Sequence, residues 1–121
     1  ALIQFRRRRV FDPATTMRRR AQQAMKSARM DTAGHQSFLT GLYRALTAAI
    51  FARAGRLGEA LTWHEAEAIL HDHGVVPETA REAADLLRIL ESHKFSGVAP
   101  GQEEQGRLLT RTRDMLRRLG C

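Results

Sequence analysis

The chain has 121 residues, 43% of them hydrophobic, a formal charge of +7 and one cysteine. That length supports one small domain. A single cysteine excludes an internal disulfide and suits a reducing compartment, and the lack of any apolar run of about 18 residues excludes a membrane span within these residues.

The charge is unevenly placed. Residues 1–30 hold nine Lys/Arg against one acid, Asp12, whereas residues 31–121 hold eleven against twelve. An apolar stub, Ala1-Leu2-Ile3-Gln4-Phe5, runs directly into Arg6-Arg7-Arg8-Arg9. A chain emerging from a bilayer on its cytoplasmic side carries this pattern, and so does an arm that grips nucleic acid. Residues 1–12 read as a basic juxtamembrane leader, and residues 13–121 as a single helical domain.

Ala and Leu dominate the aliphatic residues and β-branched residues are sparse, which favours helices over strands. Asp12-Pro13 is a helix start, with Asp as N-cap and Pro at the first helical position. It predicts a first helix over 13–30, with a thin face of Met17, Ala21, Ala24, Met25 and Ala28 and a basic remainder of Arg18, Arg19, Arg20, Lys26 and Arg29. Such a helix either packs weakly on a core or lies on an anionic surface. A second helix over 35–54 has the best apolar stripe, through Phe38, Leu42, Leu46 and Ile50. Thr62 and Glu65 form a capping box that opens a short helix over 63–73, stopped by Gly74. Val75-Val76 reads as a buried connector and Pro77 as the first residue of a helix over 77–93. Residues 94–101 read as a loop with Phe95 as its aromatic anchor, and a last amphipathic helix covers 102–119.

The expected fold is therefore all-α, about five helices in a small irregular or orthogonal bundle. Helices two to five form the core, and the first helix docks on it or extends from it. The expected core is Phe38, Leu42, Leu46, Ile50, Trp63, Ile69, Leu70, Leu87, Leu90, Phe95, Leu109 and Leu116, with Tyr43 at its boundary.

Little in the chain points to catalysis. His64, His71 and His73 cluster around the third helix, but His64-Glu65-Ala66-Glu67-Ala68 lacks the second His of the metalloprotease motif, so the histidines read as surface groups. Glu103 and Glu104 suit the start of a helix. No Gly-rich phosphate loop occurs, the glycines reading as punctuation between helices, and Cys121 has no adjacent base. The expectation is a protein without enzymatic activity, metal or cofactor.

The basic leader carries the functional signal. Each Arg near an anionic bilayer contributes about 1 kcal/mol, which makes Arg6, Arg7, Arg8, Arg9, Arg18, Arg19 and Arg20 the candidate contacts with anionic lipid. The same charges bind phosphates of nucleic acid with steep salt dependence. Sequence readout of DNA, however, calls for polar side chains interleaved with Arg on an exposed helix. The fourth helix opens instead with Glu78, Glu82 and Asp85.

The order of these features resembles the C-terminal cytoplasmic domain of the BatD family, membrane-anchored proteins of bacterial aerotolerance operons. The resemblance rests on the Arg-rich exit, the basic Ala-rich helix, Phe38 with Leu42-Tyr43-Arg44-Ala45-Leu46, and Leu61-Thr62 with Glu65 leading to His73-Gly74-Val75. It continues through Leu86-Leu87 and Leu90-Glu91 into Lys94-Phe95-Ser96-Gly97 and a last amphipathic helix. The resemblance implies a transmembrane span and a β-rich extracytoplasmic part upstream. It also implies partners among von Willebrand-type and ATPase proteins of the same operon, and a role in oxidative-stress tolerance; no catalytic residues carry over. The expectation is a protein-interaction module tethered to the inner membrane on its cytoplasmic side. The alternative is a nucleic-acid-binding helical domain with a basic N-terminal arm.

Overall fold

A computed structural model describes residues 12–30, 35–97 and 100–121. They form an all-α bundle of five helices: α1 (Pro13–Met30), α2 (His35–Ala54), α3 (Trp63–Asp72), α4 (Pro77–Ser96) and α5 (Gln102–Arg118). Among the described residues there is no strand.

The bundle is built around α2, which packs against each of the other four helices. Its sequence dictates this place. Leu39, Leu42, Leu46 and Ile50 are fully buried, and Ala45, Ala48, Ala49, Phe51 and Ala52 are buried around them, so α2 is apolar on nearly every side, as an enclosed helix must be. α1 lies along α2, while α3 and α4 pack together elsewhere on the bundle and α5 closes against both α2 and α4.

α1 belongs to the core and is more than a weakly docked accessory. Met17, Ala21, Met25 and Ala28 are all buried. The small residues allow the two backbones to approach closely: a Cβ built on Gly41 of α2 would lie 2.9 Å from Ala28 Cβ and 3.2 Å from Ala28 Cα. Such a stripe buries little area per residue, but its closeness gains dispersion contacts along the helix pair.

Local signals set the ends of the helices. Thr62 Oγ1 accepts from the Glu65 amide at 3.2 Å, and Glu65 Oε1 accepts from the Thr62 amide at 3.0 Å, completing the capping box of α3. The Thr62 amide first, and the Thr62 hydroxyl second, stabilise the ionised Glu65 carboxyl and pull it below its usual range. At the other end of α3 the Gly74 amide donates to His71 O and the Val75 amide to Leu70 O. The φ of 78° at Gly74 is the left-handed conformation this Schellman closure requires.

Several expectations are corrected. α4 runs through Lys94-Phe95-Ser96 and stops at Gly97, three residues beyond the expected end. Phe95, expected as a buried anchor, is 75% exposed. Continuing the helix carries it five residues past Leu90 and off the buried stripe of Ala83, Leu87 and Leu90. Val76, expected to be buried, is the exposed N-cap of α4, and only Val75 is buried. Trp63, Ile69 and Leu109 are partly buried flanks of the core. Leu39, Leu61, Leu108, Met115 and Leu119 join it instead.

Tyr43 is half-buried on α2, and its hydroxyl is engaged, donating to Leu61 O at 2.9 Å. This bond ties the loop ahead of α3 to the central helix. Burial, then the charge of Glu91, pushes the phenol above its usual value. A raised folded-state pKa means that stability present below the unfolded value of about 10 is lost as pH rises through the folded one. Tyr43→Phe should cost about 1 kcal/mol at neutral pH for the lost hydrogen bond. Urea titrations should also show a smaller loss of stability above about pH 10 than in the parent chain. Gly41→Leu drives a side chain into Ala28 and should destabilise the fold by about 1–3 kcal/mol, read as a lowered melting temperature.

Candidate anionic-surface interface

Arg18, Arg19 and Arg20 are exposed on α1, as are Gln22, Gln23 and Lys26. Because Met17, Ala21, Met25 and Ala28 are turned onto the bundle, α1 has no apolar face left to insert into a bilayer. What it offers outward is charge. Arg20 leans back on the helix, with Nη1 at 3.6 Å from Met17 Sδ. Arg6, Arg7, Arg8 and Arg9 lie outside the described residues.

The first turn of α1 is capped by Asp12. Its Oδ1 accepts from the Ala14 amide at 3.1 Å, and its Oδ2 accepts from the Thr15 hydroxyl at 2.8 Å. Asp12 is thus part of the helix start it was expected to cap, and it belongs with the domain more than with the leader.

Two further cations join the α1 surface that its own sequence did not reveal. Arg113 and Arg117 of α5 line an open groove of about 460 Å³ together with Arg19 and Lys26 of α1, over Met25 and Leu116. No Asp or Glu lines this groove. The available signal was the i, i+4 spacing of Arg113 and Arg117 on an amphipathic helix; that they meet α1 is a tertiary fact. The neighbouring Arg118 turns the other way, to Glu82 and Thr79 of α4. The end of α5 is fixed by a second Schellman closure, Gly120 to Arg117 O and Cys121 to Leu116 O, which brings Cys121 to the same groove. Burial pushes the Cys121 thiol up, with the Arg18 charge opposing, so the thiol is held protonated and is a poor nucleophile.

A larger groove, about 930 Å³, runs beside α1 and α2 and is lined by Arg20, Arg44, Ser27, Thr40 and Glu59 among others. It holds no pair of acids and no histidine. His64 and His71 line a shallow depression near Glu67 and Asp72. Among the described residues, no group of three or more His, Cys, Asp or Glu is placed to hold a metal ion, and no helix is long and apolar enough to cross a membrane.

The opposite charge gathers elsewhere. Residues 59–93, which span α3 and most of α4, contain eight acids and two arginines. The near-neutral total beyond residue 30 therefore hides a separation: acids over α3 and most of α4, and cations over α2 and α5.

No family model matches this chain, and no curated protein or solved structure shows significant similarity to it.

Deleting residues 1–11 should leave the melting temperature nearly unchanged, since among the described residues the first buried side chain is Met17. Deleting residues 1–12 also removes the cap and should cost about 1 kcal/mol, measurable by thermal denaturation of the two truncations side by side.

Proposed function

We propose that this chain is a non-catalytic helical module held against an anionic membrane surface, on the cytoplasmic side, where it engages other proteins. The observation that carries this reading is the fate of α1: its apolar face is buried and its exposed face is cationic, beside further arginines of α5. Attachment is then electrostatic, at about 1 kcal/mol per cation near the surface, and it sums with the Arg6–Arg9 run. The acids of α3 are repelled from the same surface, so α3 faces away and is available to partners. The resemblance to the cytoplasmic domain of the BatD family agrees with this arrangement. It supplies the expected setting: a span upstream, an inner-membrane location, von Willebrand-type and ATPase partners, and a role in aerotolerance.

The rival reading is a nucleic-acid-binding domain using the same cations. Co-sedimentation with vesicles of phosphatidylglycerol and of phosphatidylcholine, beside DNA binding at physiological salt, separates the two. The expected result is binding to the anionic vesicles alone, falling steeply with added salt, with DNA bound only weakly and without sequence preference. Sequence-selective DNA binding that survives competitor, or equal binding to both vesicles, would overturn the proposal.

A further inference from the structure

We infer that the groove between α1 and α5 is a seat for the headgroup of an anionic phospholipid. This inference rests on the membrane reading above and gives it a specific site. Arg19 and Lys26 are seven residues apart, so they share one face of α1 about 10 Å apart along its axis. Arg113 and Arg117 are four apart, about 6 Å along α5. The groove thus draws four cations from two helices distant in sequence.

These cations are poorly compensated. Among the described residues Arg19, Lys26 and Arg113 make no ion pair, and Arg117 has only Asp114 at 3.9 Å, both side chains largely exposed. Gathering like charges around one groove costs free energy that a bound anion recovers. A phosphodiester fits this demand, since guanidinium groups hold phosphate oxygens in paired hydrogen bonds.

The floor distinguishes the kind of phosphate. Met25 and Leu116 under the cations are only 8% and 5% exposed, a narrow apolar edge beside which the glycerol carbons next to a headgroup can lie. A nucleic-acid backbone has no use for an apolar floor and would profit from aromatic side chains for base stacking; none lines the groove.

The test uses the full chain and vesicles of phosphatidylglycerol in phosphatidylcholine. R113Q/R117Q removes two groove cations. R81Q/R88Q removes two cations from α4, within the acidic side, and serves as the control of equal charge. The groove variant should lose roughly tenfold or more in vesicle affinity, and the control should stay within about twofold. Equal losses in the two variants, or no loss in the groove variant while the parent chain still binds, would overturn the inference and leave the membrane reading standing. Failure of the parent chain to bind anionic vesicles would overturn both.

Amide shifts of the parent chain give a readout independent of the variants' folding. A short-chain soluble phosphatidylglycerol should shift Lys26, Arg113, Arg117 and their neighbours, and inorganic phosphate should do so far more weakly. Equal response to inorganic phosphate, displacement of the lipid by duplex DNA, or shifts confined to other helices would each contradict a lipid seat.

Discussion

Where α1 crosses Gly41 of α2, the Ala28 methyl would sit 2.9 Å from a Cβ on that glycine. This approach needs a residue without a side chain on one helix and the smallest one on the other. It presses the Met17, Ala21, Met25 and Ala28 stripe onto α2 and so fixes the rotation of α1 about its axis. With that rotation set, Arg18, Arg19 and Lys26 have nowhere to point but solvent. A longer side chain at either contact would part the helices and release the constraint. The chemistry α1 presents is thus decided by packing on its hidden side.

The rest of the architecture turns that local constraint into a polarised molecule. α2 is apolar almost all round and is enclosed by the other four helices. α3 and α4 carry most of the acids, while the end of α5 brings Arg113 and Arg117 to α1. The ion pair of Arg118 with Glu82 and its bond to Thr79 tie α5 to α4, and the Schellman closure at Gly120 holds the chain end beside α1. Individually such exposed contacts contribute little to stability. Their use is positional, since they set which face of α5 borders which neighbour. A molecule with cations on one side and acids on another experiences a torque as well as an attraction near a charged surface. Recruitment to an anionic bilayer therefore also orients the domain.

Much of this fold was legible in the sequence because its punctuation is local. Asp12-Pro13 and the Thr62–Glu65 box act within a few residues of themselves and placed the starts of α1 and α3, as Pro77 did for α4, while the glycines at 55, 74 and 120 marked helix ends. The ends of α3 and α5 fell within a residue, as such boundaries do. What escaped depends on contacts distant in the chain. Phe95 looked like an anchor because an aromatic residue beside Ser and Gly resembles a loop plug; α4 keeps its geometry to Gly97 and leaves it exposed. The Ala- and Met-based stripe of α1 looked too thin to join the core, since composition does not reveal that Gly41 lies opposite. The leader's charge was visible at once. The part of the candidate site supplied by α5 was not, because nothing near Arg113 or Arg117 in sequence indicates that they border α1.

The central claim is that the cationic side of the domain, α1 and the end of α5, faces an anionic bilayer while α3 faces away. Paramagnetic relaxation enhancement from spin-labelled lipid in phosphatidylglycerol-containing bicelles measures this directly, residue by residue. The account predicts strong broadening of amides around Arg19, Lys26, Arg113 and Arg117, with amides of α3 left sharp. Uniform broadening over all five helices, or broadening centred on α3 and α4, would contradict it.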